Sequence, residues 1–379
     1  MFGDTLKLTI AGIVGRAIFL IFWIILGNSI GAEGLGVLAN FTSILMLMTV
    51  FSTFGMDFWL SRYITNHGLS SQEFLRIILM KTLLAIIAVA LFWSLLSAGI
   101  VGSILRPYKL ESLIICIVLF VDNIGFTCVP ILEARQKLKK LALLVLIRWV
   151  ALGGIGSFLI LLNGSVMTAV IAYLIAAVIR ACVGFIMARK LMVSKTSGLK
   201  SSELLPQAGS MALVNFVTFL FFTIDLLMLP ELTDELQTGL YKAAHTPVEA
   251  LLFLSAGVAA TLYPLFSKNN LDLKIKGEQL VTGRRLLLFI AFPIAFGLIV
   301  ISEPFLSWMY WQRIDEFSVA APALMILGWV IPAMFINDCL TRLLLGVYRQ
   351  KVVLVMLSIV LVVNIIINLL LIPTLGHMG

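Results

Sequence analysis

Three arginines lie inside long apolar segments of the sequence. Arg16, Arg148 and Arg180 each stand about seven or eight residues from the basic end of their segment, roughly 10–12 Å along a helix. Charged residues in such segments are costly in a membrane and tend to face a cavity or a partner. Guanidinium groups bind phosphate in a bidentate geometry and stay charged when buried. We therefore predict a cationic pocket for an anionic headgroup, with extension of Arg148 and Arg180 to the membrane surface as the alternative.

Four further ionisable residues stand in apolar segments, namely Asp122, Asp225, His245 and Glu249. A carboxylate or an imidazole inside a membrane can change its charge state or coordinate an ion, so these residues are candidates for binding H+ or Na+. At helical spacing, His245 and Glu249 share one face with Lys242. The alternative is local ion pairing, for example between Asp122 and a neighbouring arginine.

The elements that position these residues are predicted to be membrane-spanning helices. The chain has 379 residues, of which 61% are hydrophobic and 12% charged, and its mean hydropathy is +1.10. Soluble domains are roughly half apolar and a quarter charged, so a soluble class is excluded. A membrane helix takes about 20 apolar residues, and we predict an all-α, polytopic membrane protein. Eleven apolar segments have about this length, at 8–30, 36–58, 77–101, 112–132, 141–162, 166–188, 206–229, 240–266, 286–303, 318–340 and 352–372.

The number of lysines and arginines alternates from one loop to the next. With the N-terminus placed in the cytoplasm, twenty of the 27 Lys and Arg residues fall on the cytoplasmic side, four on the other side and three inside segments. This is the positive-inside pattern, and it accounts for the net charge of +8 without nucleic acid as a partner. In this scheme Lys81, near the start of its segment, is counted on the cytoplasmic side, Lys242 is counted on the other side, and Asp57 lies at the cytoplasmic boundary.

The two halves of the chain repeat each other. Arg135-Gln136-Lys137 before the fifth segment recurs as Arg349-Gln350-Lys351 before the eleventh, and Gly36-Val37-Leu38-Ala39 has a counterpart in Gly239-Leu240-Tyr241-Lys242. Internal repeats are typical of transporters, whose substrate site lies between the repeats. We predict a six-helix bundle over residues 1–200 and a five-helix bundle over 201–379. The repeat also predicts a twelfth helix, so we expect the chain to be truncated.

The motifs give no support for catalysis or metal binding. The sequence contains no nucleophile–base pair, no HExxH motif and no Walker motif; its three histidines are far apart, and its four cysteines form no CxxC pair. The glycine-rich stretch 31–36 follows no strand, and we interpret it as a turn between the first two helices. No loop is long enough for a catalytic domain. We predict that the protein is not an enzyme and has no cofactor beyond a possible coupling ion.

Five loose motifs lie along the chain, at 26–36 (LGNSIGAEGLG), 54–64 (FGMDFWLSRYI), 239–244 (GLYKAA), 262–265 (LYPL) and 349–376. By their order and spacing, the sequence resembles the polysaccharide exporter family of the multidrug/oligosaccharidyl-lipid/polysaccharide (MOP) superfamily, which includes the flippases of O-antigen and capsule repeat units. The resemblance covers nearly the whole chain.

The resemblance implies two helical bundles around a central cationic cavity that works by alternating access, usually coupled to an ion gradient. It implies a substrate, an undecaprenyl-pyrophosphate-linked oligosaccharide, that moves from the inner to the outer leaflet of a bacterial plasma membrane. By helix placement, the cavity arginines of the family correspond to Arg16, Arg148 and Arg180. The implied partners are membrane lipids and the polysaccharide polymerase and chain-length machinery.

Three other functions stay open on the sequence alone. A multidrug extruder of the same superfamily would favour acidic cavity residues for cationic drugs, whereas three deep arginines favour an anionic substrate. A lipid II flippase is a closer rival, although such proteins usually have fourteen spans. A non-transport scaffold for polysaccharide synthesis would leave the buried charges without a role.

Overall fold

A computed structural model describes the backbone of residues 2–99, 101–193, 201–266, 273–346 and 349–379. Side chains are described at 7–57, 59–99, 101–193, 209, 212–251, 281–341, 344, 349 and 351–379. The side chains of the motif at 262–265 therefore lie outside the described residues.

The described chain consists of helices joined by short turns. Apart from an isolated bridge between Ser70 and Val193, its described backbone contains no β-structure. A π-helical stretch, Ala151–Gly156, joins α5 to α6. The α-helices are α1 (Phe2–Thr53), α2 (Met56–His67), α3 (Ser71–Ala98), α4 (Lys109–Ala134), α5 (Leu138–Val150), α6 (Ser157–Leu162), α7 (Val166–Arg189), α8 (Ser201–Leu232), α9 (Glu235–Phe266), α10 (Leu273–Val300), α11 (Ser302–Met309), α12 (Ile314–Phe317), α13 (Ala321–Gly346) and α14 (Gln350–Leu375).

The predicted spans correspond to these helices. Within the described residues, nine helical segments are long and apolar enough to cross a membrane. One of them, Lys7–Thr53, contains the first two predicted spans. Eight others match spans three to seven and nine to eleven, and α9 covers the remaining predicted span, 240–266. The predicted class, an all-α, polytopic membrane protein, is therefore confirmed.

A sharp break in α1 marks one end of the bundle. Gly31 has φ 76° and ψ −177°, a backbone conformation that is essentially restricted to glycine. The helix continues on both sides of this residue, so the predicted turn over 31–36 is wrong in extent: within α1, the non-helical backbone is confined to Gly31. We refer to this end of the bundle as the Gly31 end.

The second predicted span is too long, because a separate helix begins within it. Phe54 and Gly55 both have positive φ, 44° and 67°, so α1 ends before them and α2 starts at Met56. Leu60 and Ile64 of α2 are buried with Met56 on one face of the helix. The structure thus contains an amphipathic helix that the hydrophobic pattern alone did not separate from its neighbour.

α1 lies at the centre of the packing between the two halves of the chain, α1–α7 and α8–α14. It contacts α3, α4, α5 and α7 of the first half and α8 and α9 of the second. Phe22, Trp23 and Leu26 of α1 are fully buried in the resulting core. Side chains such as Phe289 and Val300 are strongly exposed, as expected for a surface in contact with lipid. Division of the chain into domains at residue 200 stays a prediction.

Two glycines bring the halves into backbone contact near the Gly31 end. They are Gly36 on α1 and Gly239 on α9, the first residues of the two repeated segments predicted from the sequence. A Cβ atom on Gly36 would overlap the carbonyl oxygen of Glu235, and one on Gly239 would overlap the carbonyl oxygen of Ala32. Small residues allow membrane helices to approach this closely. The repeat therefore places its glycines against each other.

Polar groups reinforce the contact at the same end. The Asn28 side chain donates to the carbonyl of Met309 (2.9 Å) and accepts from the backbone N–H of Gln312 (2.9 Å). The Glu316 carboxylate accepts from the N–H of Ala32 at 2.6 Å, directly after the break in α1. A carboxylate at the first N–H groups of a helix is favourable because these groups have no partner within the helix. At this end the two halves are held together.

We expect Gly239→Ala to lower the thermal stability of the protein. The added methyl group would meet backbone atoms of α1 that cannot move independently of the helix, and overpacking of this kind costs about 1–3 kcal/mol. Gly297→Ala is the matched control, because a Cβ atom at Gly297 on α10 has no neighbour within 4 Å. Thermal unfolding of the purified variants in detergent measures the difference. Equal unfolding temperatures for the two variants would contradict the close contact.

Candidate functional site

One carboxylate in the first half binds two arginines. Asp122 lies on α4, Arg148 on α5 and Arg180 on α7. Arg180 Nη2 is 2.9 Å from Asp122 Oδ1, and Arg148 Nη2 is 3.5 Å from Asp122 Oδ2, so each carboxylate oxygen faces a different arginine. Asp122 and Arg180 are only 3% and 4% exposed. Loss of either partner from such a pair leaves an uncompensated buried charge.

The surroundings of Arg180 hold its guanidinium group in place. Its Nη2 also donates to the backbone carbonyl of Asp122 at 3.1 Å, and its Cζ lies 3.8 Å from the centre of the Phe126 ring. Gly125 leaves room for this side chain, because a Cβ atom there would lie 2.8 Å from Arg180 Nε. α4 therefore supplies a carboxylate, a carbonyl oxygen and an aromatic face to one cation.

A second carboxylate belongs to the second half of the chain. Glu249 Oε2 lies 3.0 Å from Lys242 Nζ and 3.8 Å from His245 Nδ1, all on α9, as the helical spacing predicts. Glu249 Oε1 lies 3.9 Å from Nη1 of Arg16 on α1. The Arg16–Glu249 pair therefore connects the two halves inside the bundle. Lys242 was counted with the loop residues, but it is buried within α9 and needs a counter-charge there.

Aromatic rings connect the two groups of charges. The guanidinium carbon of Arg148 lies 5.4 Å from the centre of the Trp149 ring, which is 5.0 Å from the Phe19 ring. The Phe19 ring is 5.9 Å from that of Trp23, and Lys242 Nζ lies 4.5 Å from the centre of the Trp23 ring. Rings of α1 and α5 thus lie between the charges around Asp122 and the charges around Glu249.

The two groups together carry an excess of positive charge. They contain four cations and two carboxylates: Arg16, Arg148, Arg180 and Lys242 with Asp122 and Glu249. With His245 neutral, positive charges outnumber negative charges by two among these described side chains. Of the three predicted arginines, Arg148 and Arg180 share Asp122, whereas Arg16 faces Glu249, and a common pocket for the three stays a prediction. The side chains of Arg16 (38% exposed) and Arg148 (23%) are the accessible arginines of this arrangement.

Asp225 lies in a different polar cluster, between α8, α9 and α14. Its Oδ2 accepts from the hydroxyl of Tyr241 at 2.9 Å, and its Oδ1 accepts from the amide of Asn368 at 2.7 Å. That amide also donates to Asn364 Oδ1 at 3.0 Å. Among the described side chains, no lysine, arginine or histidine forms a salt bridge with Asp225. Carboxylate and amide oxygens of this kind are typical ligands of hard cations.

Sequence reasoning missed a buried ion pair that joins α2, α3 and α4. Lys81 Nζ lies 2.6 Å from Asp57 Oδ1 and donates to Thr127 Oγ1 at 3.0 Å. Lys81 was counted with the loop residues, but it is fully buried. A signal was present in the sequence: Ile77 and Ala85, four residues to either side of Lys81, are also fully buried and share its helix face.

Comparison with known families identifies the chain. A family model described as polysaccharide biosynthesis protein matches residues 3–270. The chain belongs to the polysaccharide biosynthesis protein family. The region matched by this model contains the seven candidate residues named from the sequence. A second family model, described as MatE, matches residues 210–370. No curated protein matches the sequence.

Solved structures of transporters share the fold of this polysaccharide biosynthesis protein. The lipid II flippase MurJ, in an inward closed conformation, is 17% identical with a TM-score of 0.75, over 98% of this chain and 82% of that one. The MATE transporter VcmN of Vibrio cholerae, as a mutant, is 14% identical with a TM-score of 0.67, over 100% and 90% of the two chains.

A MOP superfamily transporter from Pyrococcus furiosus, described by the reverse polarity of its binding pocket, is 12% identical with a TM-score of 0.69, over 99% and 89%. At these identities, the likeness concerns the fold. The assignment to the MOP superfamily made from the sequence is thereby confirmed.

We expect Arg180→Ala to destabilise the protein far more than Arg16→Ala. Loss of Arg180 leaves Asp122 buried with one remaining arginine at 3.5 Å, and breaking a buried pair costs about 3–5 kcal/mol. Arg16 is more exposed and its pair with Glu249 is long, and an ion pair of this kind contributes about 1 kcal/mol or less. Thermal unfolding of the purified variants tests this order. Equal destabilisation would contradict the division into a buried pair and an accessible one.

Proposed function

We propose that the protein is a flippase that moves an undecaprenyl-pyrophosphate-linked oligosaccharide from the cytoplasmic to the outer leaflet of a bacterial plasma membrane. The observation that carries the proposal is the excess of two positive charges around Arg16, Arg148, Arg180 and Lys242. A pyrophosphate group supplies the negative charge that these cations lack. Arginine is well suited to it because its planar guanidinium group forms paired hydrogen bonds with phosphate oxygens.

The sign of the excess charge separates this function from drug extrusion. A site for cationic drugs needs surplus carboxylates, whereas here each described carboxylate of the two groups is outnumbered by neighbouring cations. A lipid II flippase is the second candidate, and the structural likeness to MurJ favours it. The two candidates differ in the saccharide that is carried. We expect the polysaccharide polymerase and chain-length machinery to be partners in the first case.

We propose that the N-terminus lies in the cytoplasm and that the Gly31 end faces outward. The positive-inside distribution of lysine and arginine supports this orientation. Contact between the halves at Gly36, Gly239 and Glu316 lies at the Gly31 end, and toward the other end the Phe51 ring of α1 lies 5.1 Å from the Phe216 ring of α8. Entry of a substrate from the cytoplasmic side would require α8 to move away from α1 and α2, and its release would require the contact at the Gly31 end to open, as alternating access requires.

A strain that lacks the gene tests the proposal directly. Lipid extracts are analysed by mass spectrometry for polyprenyl-linked saccharides, with restoration by the intact gene. We expect undecaprenyl-pyrophosphate oligosaccharide to accumulate and surface polysaccharide to be lost. Accumulation of lipid II would favour the second candidate instead. An unchanged pool of lipid-linked saccharides would contradict both flippase functions.

In the same strain, we expect Arg16→Ala to abolish export while the amount of protein in the membrane is unchanged. Arg16 is an accessible cation at the boundary between the halves, so its removal weakens headgroup binding without breaking a buried pair. Arg62→Ala is the matched control, because Arg62 is exposed on α2 away from both charge groups. Surface polysaccharide and membrane abundance are measured together. Normal export by the Arg16 variant would contradict the assignment of this residue.

We propose Asp225 as the site at which H+ or Na+ couples to transport. Of the four coupling candidates, Asp122, His245 and Glu249 belong to the charge groups with arginine and lysine, whereas Asp225 has hydrogen-bonding neighbours that could complete a cation site. We expect Asp225→Asn to bind substrate normally and to lose stimulation by an ion gradient.

The measurement uses proteoliposomes with the lipid-linked saccharide extracted from the deletion strain and an imposed Na+ or H+ gradient. Asp315→Asn, at an exposed position on α12, is the control for the change in charge. Gradient-stimulated transport by the Asp225 variant would contradict the coupling role, and the gradient that stimulates the parent protein identifies the ion.

A further inference from the structure

Glu249 occupies a position between cations of the two halves that a phosphate group could also occupy. We infer that Glu249 is an internal counter-ion: it offsets part of the positive charge of Arg16 and Lys242 while the site is empty, and the phosphate-bearing headgroup of the substrate displaces it. The inference rests on the proposed function and assigns to Glu249 a part in controlling how strongly the substrate is bound.

The two oxygens of Glu249 have partners of different strength. Oε2 forms a hydrogen-bonded ion pair with Lys242 at 3.0 Å on the same helix. Oε1 lies 3.9 Å from Arg16, beyond the range of a hydrogen bond, which is about 2.7–3.2 Å for N–H···O. The attraction to Arg16 is therefore electrostatic, without the bidentate geometry that guanidinium prefers. A phosphate group could form the shorter bonds with Arg16 that the carboxylate does not.

Lys242 explains why a carboxylate is needed in the empty state. Its side chain is 6% exposed and its ammonium group lies between Glu249 and the Trp23 ring. An ammonium group in an apolar bundle is costly without a counter-charge. The aromatic ring offers partial compensation, and Glu249 supplies the full negative charge. When a phosphate group takes over this charge, the carboxylate is free to rotate away, and it is 28% exposed.

Asp122 is the carboxylate with which Glu249 can be compared, because its surroundings do not favour displacement. Its side chain is 5% exposed, its nearer arginine is at 2.9 Å, and both arginines belong to the same half. Glu249 differs in each respect, since it is more exposed, its arginine is more distant, and that arginine comes from the opposite half. Displacement of Glu249 from Arg16 would therefore remove an ion pair between the halves at the moment when the substrate binds.

The test is the affinity of the purified full chain for geranylgeranyl pyrophosphate, measured by calorimetry in detergent at low salt. We expect Glu249→Gln to bind this probe roughly tenfold more tightly than the parent protein, equivalent to about 1.4 kcal/mol. Glutamine has the size of glutamate without its charge, so the competitor is removed and the packing is kept. Adding Arg16→Ala to this variant should abolish the gain in affinity.

In cells, we expect the Glu249→Gln variant to export polysaccharide more slowly, because tighter binding slows release of the substrate.

Glu231→Gln is the matched control, with the same change in charge at the Gly31 end, where Glu231 accepts from the N–H of Gly102. An equal gain in affinity in this control would show a general effect of net charge and would overturn the inference. If Glu249→Gln does not fold, Glu249→Asp withdraws the carboxylate from Arg16 and should give a smaller gain.

The counter-ion inference would be overturned, and the flippase function left standing, by two results together. Glu249→Gln would bind the probe no more tightly than the parent protein, and Arg16→Ala in the parent protein would bind it more weakly. Two results would contradict both the counter-ion inference and the flippase function. The first is binding that does not depend on Arg16 in either the parent protein or the Glu249→Gln variant. The second is no binding of the probe by any variant.

Discussion

Two arginines from different helices converge on the carboxylate of Asp122, and this interaction fixes the relative positions of α4, α5 and α7. In an apolar environment a charge cannot rely on water for solvation, so the helices must be arranged to bring opposite charges together. The pair of Lys81 with Asp57 imposes the same requirement on α2 and α3. Ion pairs therefore determine the register of the first half more narrowly than apolar contacts could, because apolar side chains in lipid are equally well accommodated by other helices or by acyl chains.

The two halves are joined by contacts of a different kind at different depths. At the Gly31 end, Gly36 and Gly239 allow backbone atoms of α1 and α9 to touch, and hydrogen bonds of Asn28 and Glu316 add to this close packing. Deeper in the bundle the connection between Arg16 and Glu249 depends on charge and is long. Close backbone packing responds little to a ligand, whereas an ion pair weakens when another anion approaches. On the proposed function, the connection between Arg16 and Glu249 is therefore the one that an anionic headgroup would change.

Much of this fold could be predicted from hydrophobicity, because membrane helices must be apolar over a fixed length. Apart from the second span, which crosses the break at Phe54, the predicted spans match the helices, and the shared face of Lys242, His245 and Glu249 follows from helical periodicity. The break at Phe54 could not be predicted in this way, since the apolar pattern continues across it. Nor could the convergence of Arg148 and Arg180 on one carboxylate, because three separate helices must pack before those side chains meet. Periodicity describes one helix, and the site depends on several.

The placement of the carboxylates decides how the excess positive charge can be used. If both carboxylates lay deep within one half, the remaining cations would form a fixed anion site, and a bound headgroup would have no effect on the contact between the halves. If both lay between the halves, the first half would lose the interaction that holds α4, α5 and α7 together. The observed arrangement puts Asp122 inside one half and Glu249 across the boundary. The first supports a stable bundle, and the second places at the boundary between the halves a charge that, on the inference drawn above, a phosphate group replaces.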